Sequence, residues 1–287
     1  MINKLTLIGV GLIGGSFALA LREAGLVREI VGVGRSAENL SAALGMYVID
    51  VSVTDLAQAV QGADLVLLAV PVGQMGESMA AIAPHLGAHT VVTDVGSTKQ
   101  DVVTLARQYL GAHLSRFVPG HPIAGAEKSG VKAARGELFR ERNVVLTPLA
   151  ETDVAAVELV TRLWQGCGAK VSQMDSADHD AVFAAVSHLP HVLAFALVDY
   201  IASQANAEQL FGFAASGFRD FTRIAGSSPE MWRDICLANR DTMLSQLGGF
   251  ERELAQIKIF LQQGDGAGLE ALFRRARDAR QKYLKNP

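Results

Sequence analysis

The sequence predicts an α/β fold in which a mostly parallel sheet, covered by helices on both faces, is followed by an all-helical domain. Three observations predict it. Short runs rich in Val, Leu and Ile alternate with helical patterns through roughly the first 175 residues. These runs lack strict in–out alternation, as strands covered on both faces do. After that point strand-like runs stop and only helical spacing remains. The sequence therefore divides into 1–175 and 176–287.

Taken in order, strands are expected at 4–10, 28–34, 63–70, 89–96 and 116–121, with two more at 143–148 and 169–175. Helices are expected between them at 14–25, 74–86, 98–110 and 152–166. Alternating β and α implies parallel neighbours joined by right-handed crossovers. The second part reads as helices at 177–205, 206–217, 229–262 and 266–284. The stretch "LPHVLAFALVDYIA" (189–202) is apolar all round. It is expected to be buried on most sides, in a dimer core or a large single-chain core. Pro190 lies inside the first of these helices. It has no N–H to donate and is expected to bend the helix.

With 287 residues the chain can bury a substantial core in one or two domains. A net charge of −3 without a basic stretch argues against nucleic acid and anionic membrane as partners. Cys167 and Cys236 are far apart and form no C-x-x-C, which fits reduced, buried thiols in a cytoplasmic protein. Glycines break the N-terminal apolar run at once, as in a strand and turn rather than a signal peptide. No run approaches 18 unbroken apolar residues, so no transmembrane helix is expected.

The first strand runs into Gly9-x-Gly11-x-x-Gly14, followed by Gly15, with Leu12 and Ile13 in the variable positions. A strand before this motif and a helix after it mark a Rossmann-like dinucleotide site. Gly9 permits the tight turn and Gly11 lets the backbone approach a pyrophosphate. Gly14 lets helix and strand pack closely, and the helix N-terminus offers N–H donors. An NAD site usually ends its second strand in Asp or Glu. Here Gly34, Arg35 and Ser36 stand there instead. A guanidinium attracts a 2′-phosphate, so the reading leans to NADP over NAD. Glu38 is the counter-evidence, and Arg35 can equally be a solvated charge. Val70 and Pro71 end a further strand at the carboxyl edge, where such sheets bind ligands. In "TDVGSTKQD", Asp94 is expected to fix the loop, and Ser97 or Thr98 to cap the next helix.

"FVPGHPIAG" places His121 at a strand end beside the expected nicotinamide, in a loop stiffened by Pro122. A neutral imidazole there suits proton abstraction near neutrality; a histidine bonded to nearby backbone is the alternative. Ser187 and His191 lie four apart on one helix face, with His188 between them. H-x-x-H alone lacks the spacing and further ligands of a zinc site, so no metal is expected. Arg219 and Arg223 are also four apart, and Arg223 could simply pair with Asp220 or Glu230.

The glycine motif with Ser16, "DVGSTK", "PGHPIAGAE", "SHLPH" and "GFRDFTRIA" occur in that order. In this combination, spanning nearly the whole chain, the sequence resembles the prephenate/arogenate (cyclohexadienyl) dehydrogenases of tyrosine biosynthesis. The resemblance implies a Rossmann-like domain, a helical dimerisation domain and a homodimer. It implies oxidative decarboxylation of prephenate or L-arogenate, with hydride passing to NAD or NADP. It implies that His121 takes the ring-hydroxyl proton and that Ser97 contacts that hydroxyl and the nicotinamide. Arg223 would hold the ring carboxylate, His191 and Ser187 would position the substrate, and Glu127 would lie near its side chain. Arg219 stands where some relatives have lysine. Some relatives carry a fused chorismate mutase or regulatory domain, and neither is expected in this stretch. Two other readings stay open. One is a β-hydroxyacid dehydrogenase or imine reductase using Lys99 or Lys128. The other is a non-catalytic nicotinamide sensor.

Overall fold

The structure, a computed structural model, describes residues 1–126 and 128–284. Strand β1 (Ile2–Ile8) leads to helix α1 (Leu12–Glu23), β2 (Val27–Val33), α2 (Ala37–Gly45), β3 (Val51–Val53), α3 (Leu56–Val60) and β4 (Leu65–Leu68). Next come α4 (Met75–Ile82), β5 (Val91–Asp94), α5 (Gln100–Tyr109) and β6 (Phe117–Val118). All six strands are parallel, in the order β3-β2-β1-β4-β5-β6. This is the doubly wound order, with its reversal between β1 and β4. The short elements β3, α2 and α3 are absent from the sequence reading, since so few residues carry little periodicity.

Side chains of β4 show why the strands read as unbroken apolar runs. Leu65 and Leu67 join the core on one face, with Leu5, Leu7, Phe17 and Trp164. Val66 and Leu68 join the core on the other, with Met75, Met79 and Phe117. Successive side chains point to opposite faces, and here both faces are covered. Truncating Leu67, fully buried, to Ala costs about 2–5 kcal/mol.

One expected strand is divided. Residues 116–121 do not run through as a single strand of the large sheet. Val118 pairs with Thr93, and the ladder then stops at Pro119, which has no N–H. The chain enters a second sheet as β7 (Gly120–Pro122), antiparallel to β8 (Asn143–Leu146). After α6 (Val154–Gly166), β9 (Lys170–Gln173) pairs parallel with β8. His121 therefore lies opposite Val145 in a three-stranded sheet, not at the end of a strand of the dinucleotide sheet.

The helical part comprises α7 (Ser176–Phe183), a π-helical stretch (Ala184–His188), α8 (Leu189–Ala202), α9 (Ala207–Gly212), α10 (Ser216–Thr222), α11 (Pro229–Ala238), α12 (Arg240–Gln263) and α13 (Gly266–Tyr283). The π-helical stretch directly precedes Pro190, which sits in the first turn of α8. Widening the preceding turn accommodates the missing donor. Packing divides the chain into two compact units, 1–240 and 241 onward. Residues 176–240 thus belong with the sheets, because hydrogen bonds from α7 and Asn239 tie them in.

Within the helical run Ser176–Ala202 an 18-residue window has a mean hydropathy of 1.9, long and apolar enough by composition to cross a membrane. The run is not unbroken in sequence, because His188 and His191 interrupt it. Nor is it buried on most sides within one chain: Ala194 is the one fully buried residue of α8, while Val186 and Tyr200 are exposed.

Candidate active site

The glycine turn has the geometry a dinucleotide requires. Gly9 has φ +97°, and a Cβ there would lie 2.4 Å from Ala69 O. A Cβ on Gly14 would lie 2.6 Å from Gly9 O, so helix and turn touch backbone to backbone. A Cβ on Gly11 would meet nothing within 4 Å, which leaves that side open for a ligand. Gly11 is the N-cap of α1 and offers no side-chain acceptor, and the first turn holds no acid. The free N–H groups and the positive end of the helix dipole fit a diphosphate. Leu12 and Ile13 are half-buried at this turn. Val70 lies beside Gly9, followed by exposed Pro71, at the carboxyl end of β4. Arg35 and Ser36 are exposed just past β2, and Ser36 Oγ also caps α2 by accepting from Asn39 N at 3.2 Å.

A cleft of about 680 Å³ is walled by His121, Ser187, His191, Arg223, Phe183 and Trp232, among others. That volume suits a small-molecule ligand. Four of the residues named from sequence therefore converge. A second cleft, of about 490 Å³, runs along α6 and contains no histidine. Ser97 is half-buried in the loop between β5 and α5 and is not on the wall of the larger cleft. Arg219 is exposed and off that wall, its Nε donating to Ala214 O at 3.2 Å. Glu127 lies outside the described residues.

The arrangement around His121 was not foreseen from the sequence. Its Nδ1 lies 2.9 Å from His179 Nε2, and His179 Nδ1 lies 2.8 Å from Asp180 Oδ1. Asp180 also accepts from Lys99 N at 2.8 Å and Gln100 N at 2.9 Å. It thus caps α5 from another helix, the role expected of Ser97 or Thr98. Neither of those local hydroxyls caps α5. Asp94 does fix the loop, its carboxylate accepting from Gly96 N at 2.7 Å and Gly120 N at 3.1 Å. Lys99, fully buried, pairs with Asp94 and donates to Gly120 O at 2.8 Å. The residue before His121 is thereby held at both its N–H and its carbonyl.

Burial, followed by the nearby His179, Lys99 and His188, holds the His121 pKa well below the usual imidazole value. His121 is therefore neutral at neutral pH and free to accept a proton. Burial also lowers His179, opposed by the hydrogen bond it donates to Asp180, and brings His188 down to about 4. His191 stacks on Trp232, with centroids 3.8 Å apart, and its Nδ1 donates to Ser187 O at 2.8 Å. Its Nε2 is then left as an acceptor. Among the described residues no cluster of three or more His, Cys, Asp or Glu could hold a metal ion.

Comparison with known proteins agrees with this architecture. The family model "Prephenate dehydrogenase, nucleotide-binding domain" matches residues 17–173, and "Prephenate dehydrogenase, dimerization domain" matches 175–275. The chain belongs to the prephenate dehydrogenase family. A prephenate dehydrogenase of Bacillus subtilis is 41% identical over 98% of this chain and 76% of its own length. The crystal structure of prephenate dehydrogenase from Aquifex aeolicus, with hydroxyphenyl propionate and NAD+, has a TM-score of 0.90 at 37% identity, covering 98% of both chains. An arogenate dehydrogenase of Synechocystis has a TM-score of 0.81 at 29% identity, covering 98% of this chain and 99% of that one. As a prephenate dehydrogenase family member, this chain is an NAD(P)-dependent oxidoreductase of the oxidative decarboxylation that leads to tyrosine.

Proposed function

We propose that the chain acts on prephenate, L-arogenate or both, and that the cleft containing His121 and Arg223 is where it does so. Each substrate is a cyclohexadiene with a ring hydroxyl and, across the ring, a carboxylate. The observation that carries the reading is that an imidazole and a guanidinium wall one cleft of about 680 Å³, room for a small-molecule substrate. His121 Nε2 takes the hydroxyl proton. The nicotinamide, when bound, supplies the hydride acceptor. Arg223 orients the ring carboxylate, and His191 and Ser187 contact the rest of the substrate. Loss of carbon dioxide makes the ring aromatic, which draws the reaction forward.

The two central groups have separable effects. Arg223 grips a carboxylate present before and during the reaction, and uniform binding lowers KM without raising kcat. Arg223→Ala is expected mainly to raise KM. His121→Asn is expected mainly to lower kcat, by about 10²–10⁴-fold. Near-normal kcat in His121→Asn would remove it from the base role. Turnover of 3-hydroxyacids but of neither cyclohexadiene would favour a β-hydroxyacid dehydrogenase instead.

On the nucleotide side, Arg35 and the missing acid after β2 favour NADP. Gly9, Gly11, Leu12, Ile13 and Gly14 would hold the diphosphate half. Ser36, Val70, Pro71 and Ser97 would line the remainder. An assay of both substrates against both cofactors, followed by absorbance of the reduced nicotinamide, decides substrate and cofactor together. The division of labour follows the sequence, with 1–175 for the nucleotide and 176–287 for substrate and dimerisation. Exposed Val186, Tyr200 and Leu237, and in the second unit Leu254, Leu261 and Phe273, support a homodimer through the helical part. No nucleic acid or membrane partner is proposed. Sedimentation as a monomer at micromolar concentration would refute the dimer.

A further inference from the structure

We propose that His179 and Asp180 are positioning residues that fix the tautomer of His121, so that its lone pair faces the cleft. The inference rests on the reading of His121 as the base. It begins with Asp180. Its carboxylate accepts two backbone N–H groups at the N-terminus of α5, where a negative charge is favoured. An ionised carboxylate can only accept. The 2.8 Å contact to His179 therefore requires the proton on His179 Nδ1. A neutral His179 then has a bare Nε2, which can only accept. The 2.9 Å contact to His121 in turn requires the proton on His121 Nδ1. The one remaining nitrogen, His121 Nε2, is unprotonated. Burial around both rings keeps them neutral, so the chain of assignments has one solution.

The arrangement also answers what happens when His121 takes a proton. The resulting imidazolium keeps its Nδ1–H on His179, and the Asp180 carboxylate lies one ring further back. The negative charge stabilises the cation without touching it. This is the logic of a carboxylate behind a catalytic histidine, lengthened by one imidazole. Other charged or titratable groups around His121 are Lys99 with Asp94, Asp101 beside Asp180, and His188. Arg223 and His191 stand on the cleft wall. Lys99 is committed to Asp94 and Gly120 O, and His188 Nδ1 faces Asn239 at 3.3 Å. Neither provides the acceptor that His179 provides.

His179→Gln and His179→Leu test this, since neither touches the α5 cap. Gln keeps an amide oxygen as acceptor near the lost Nε2, whereas Leu offers His121 Nδ1 no partner. Long-range 1H–15N correlation of histidine-labelled protein, with His121 assigned by its loss in His121→Asn, reads the tautomer directly. The expected result is Nδ1–H on His121 in the parent and in His179→Gln, and Nε2–H or a mixture in His179→Leu. The kcat loss in His179→Leu is about 10²–10⁴-fold, with KM within about threefold and no recovery at high pH, and Gln should retain more kcat than Leu. Asp180 Oδ1 accepts from both Lys99 N and His179 Nδ1, so Asp180→Asn can keep its amide oxygen there and retain the parent tautomer, while Asp180→Leu should lose it. A pure pKa effect would recover as pH rises, and a purely structural one would leave the tautomer unchanged. An Nε2–H tautomer in the parent, an unchanged tautomer in His179→Leu, full recovery at high pH, or equal losses in Gln and Leu would overturn the proposal. The spectra need no substrate, so a chain that turns over neither cyclohexadiene would fail the functional reading and leave the tautomer result intact. Loss of turnover in His121→Asn but not in His179→Leu would fail this inference alone.

Discussion

Lys99→Met is expected to be among the most damaging single substitutions outside the apolar core. The Lys99 side chain is fully buried, and its ammonium has two partners, the Asp94 carboxylate and Gly120 O. Removing the cation leaves Asp94 buried with two backbone N–H donors and no counter-charge. Breaking one side of a buried pair costs about 3–5 kcal/mol. At about 2–4 °C per kcal/mol for chains near this size, Tm should fall by roughly 6–20 °C. Much of that cost is the stranded carboxylate, not the lost attraction. Asp94→Asn added to Lys99→Met should therefore recover about 2 kcal/mol or more, because a neutral amide in the same place needs no counter-charge. The assay is urea unfolding of the parent, both single variants and the double, at one protomer concentration, read as a double-mutant cycle. A single-variant loss under about 1 kcal/mol, or a double variant as unstable as the sum of the singles, would refute the argument.

Three further outcomes are expected. Gly11→Ala should leave the apo protein within about 1 kcal/mol of the parent, as befits an N-cap change. It should nonetheless weaken NAD(P) binding in a fluorescence titration, because its Cβ meets no protein atom and enters the ligand's space. Gly14→Ala should lower Tm even without cofactor, since its Cβ would press on Gly9 O. His188 is buried and its pKa is lowered to about 4, so the folded chain binds fewer protons than the unfolded chain between pH 6.5 and 4. Its contribution is present above pH 6.5 and lost as pH falls through 4, at most of order 3 kcal/mol; His188→Gln should flatten that part of the stability–pH curve. For activity, the neutral form of His121 is the competent one and its pKa is lowered, so the acid limb of kcat/KM should lie below pH 6.5. A limb centred above 6.5 would contradict the burial argument.

What the sequence reveals here is what short range determines. The glycine turn is legible because Gly9, Gly11 and Gly14 recur at a fixed short spacing between a strand and a helix, although the backbone that Gly9 must clear, Ala69 O, lies far along the chain. The division at Pro119 is half legible, since the missing N–H is visible while the new partner, Val145, lies far along the chain. His179 and Asp180 were passed over because α5 shows no sign in its own sequence of being capped from α7. The capping hydroxyls of "GSTK" looked sufficient, and a cap supplied 80 residues away leaves no local pattern. Trp232 was missed for the same reason, as its stacking on His191 joins α8 to α11. Arg219, four residues before Arg223, is exposed and off the cleft wall, and a short 3-10 turn begins at Arg223. Resemblance supplied His191, Ser187 and Arg223 as a group before any geometry joined them.

A buried histidine with a lowered pKa looks at first like a poor base. The reaction removes the objection. As hydride leaves the hydroxyl carbon, the oxygen becomes that of a protonated carbonyl, and its proton becomes strongly acidic. A base need only match the acidity reached at the transition state, and matching is more useful than strength. The harder demand is that His121 be unprotonated, and unprotonated on the correct nitrogen, whenever substrate arrives. Burial meets the first condition, and the His179–Asp180 pair meets the second. Both depend on the same contact, the seating of α7 against the N-terminus of α5. The loop that carries Ser97 ends at that same N-terminus, so the base on β7 and the nucleotide side share one anchor. A substitution that loosens this anchor is therefore expected to disturb proton acceptance and cofactor placement together, even though Asp180 itself reaches neither ligand.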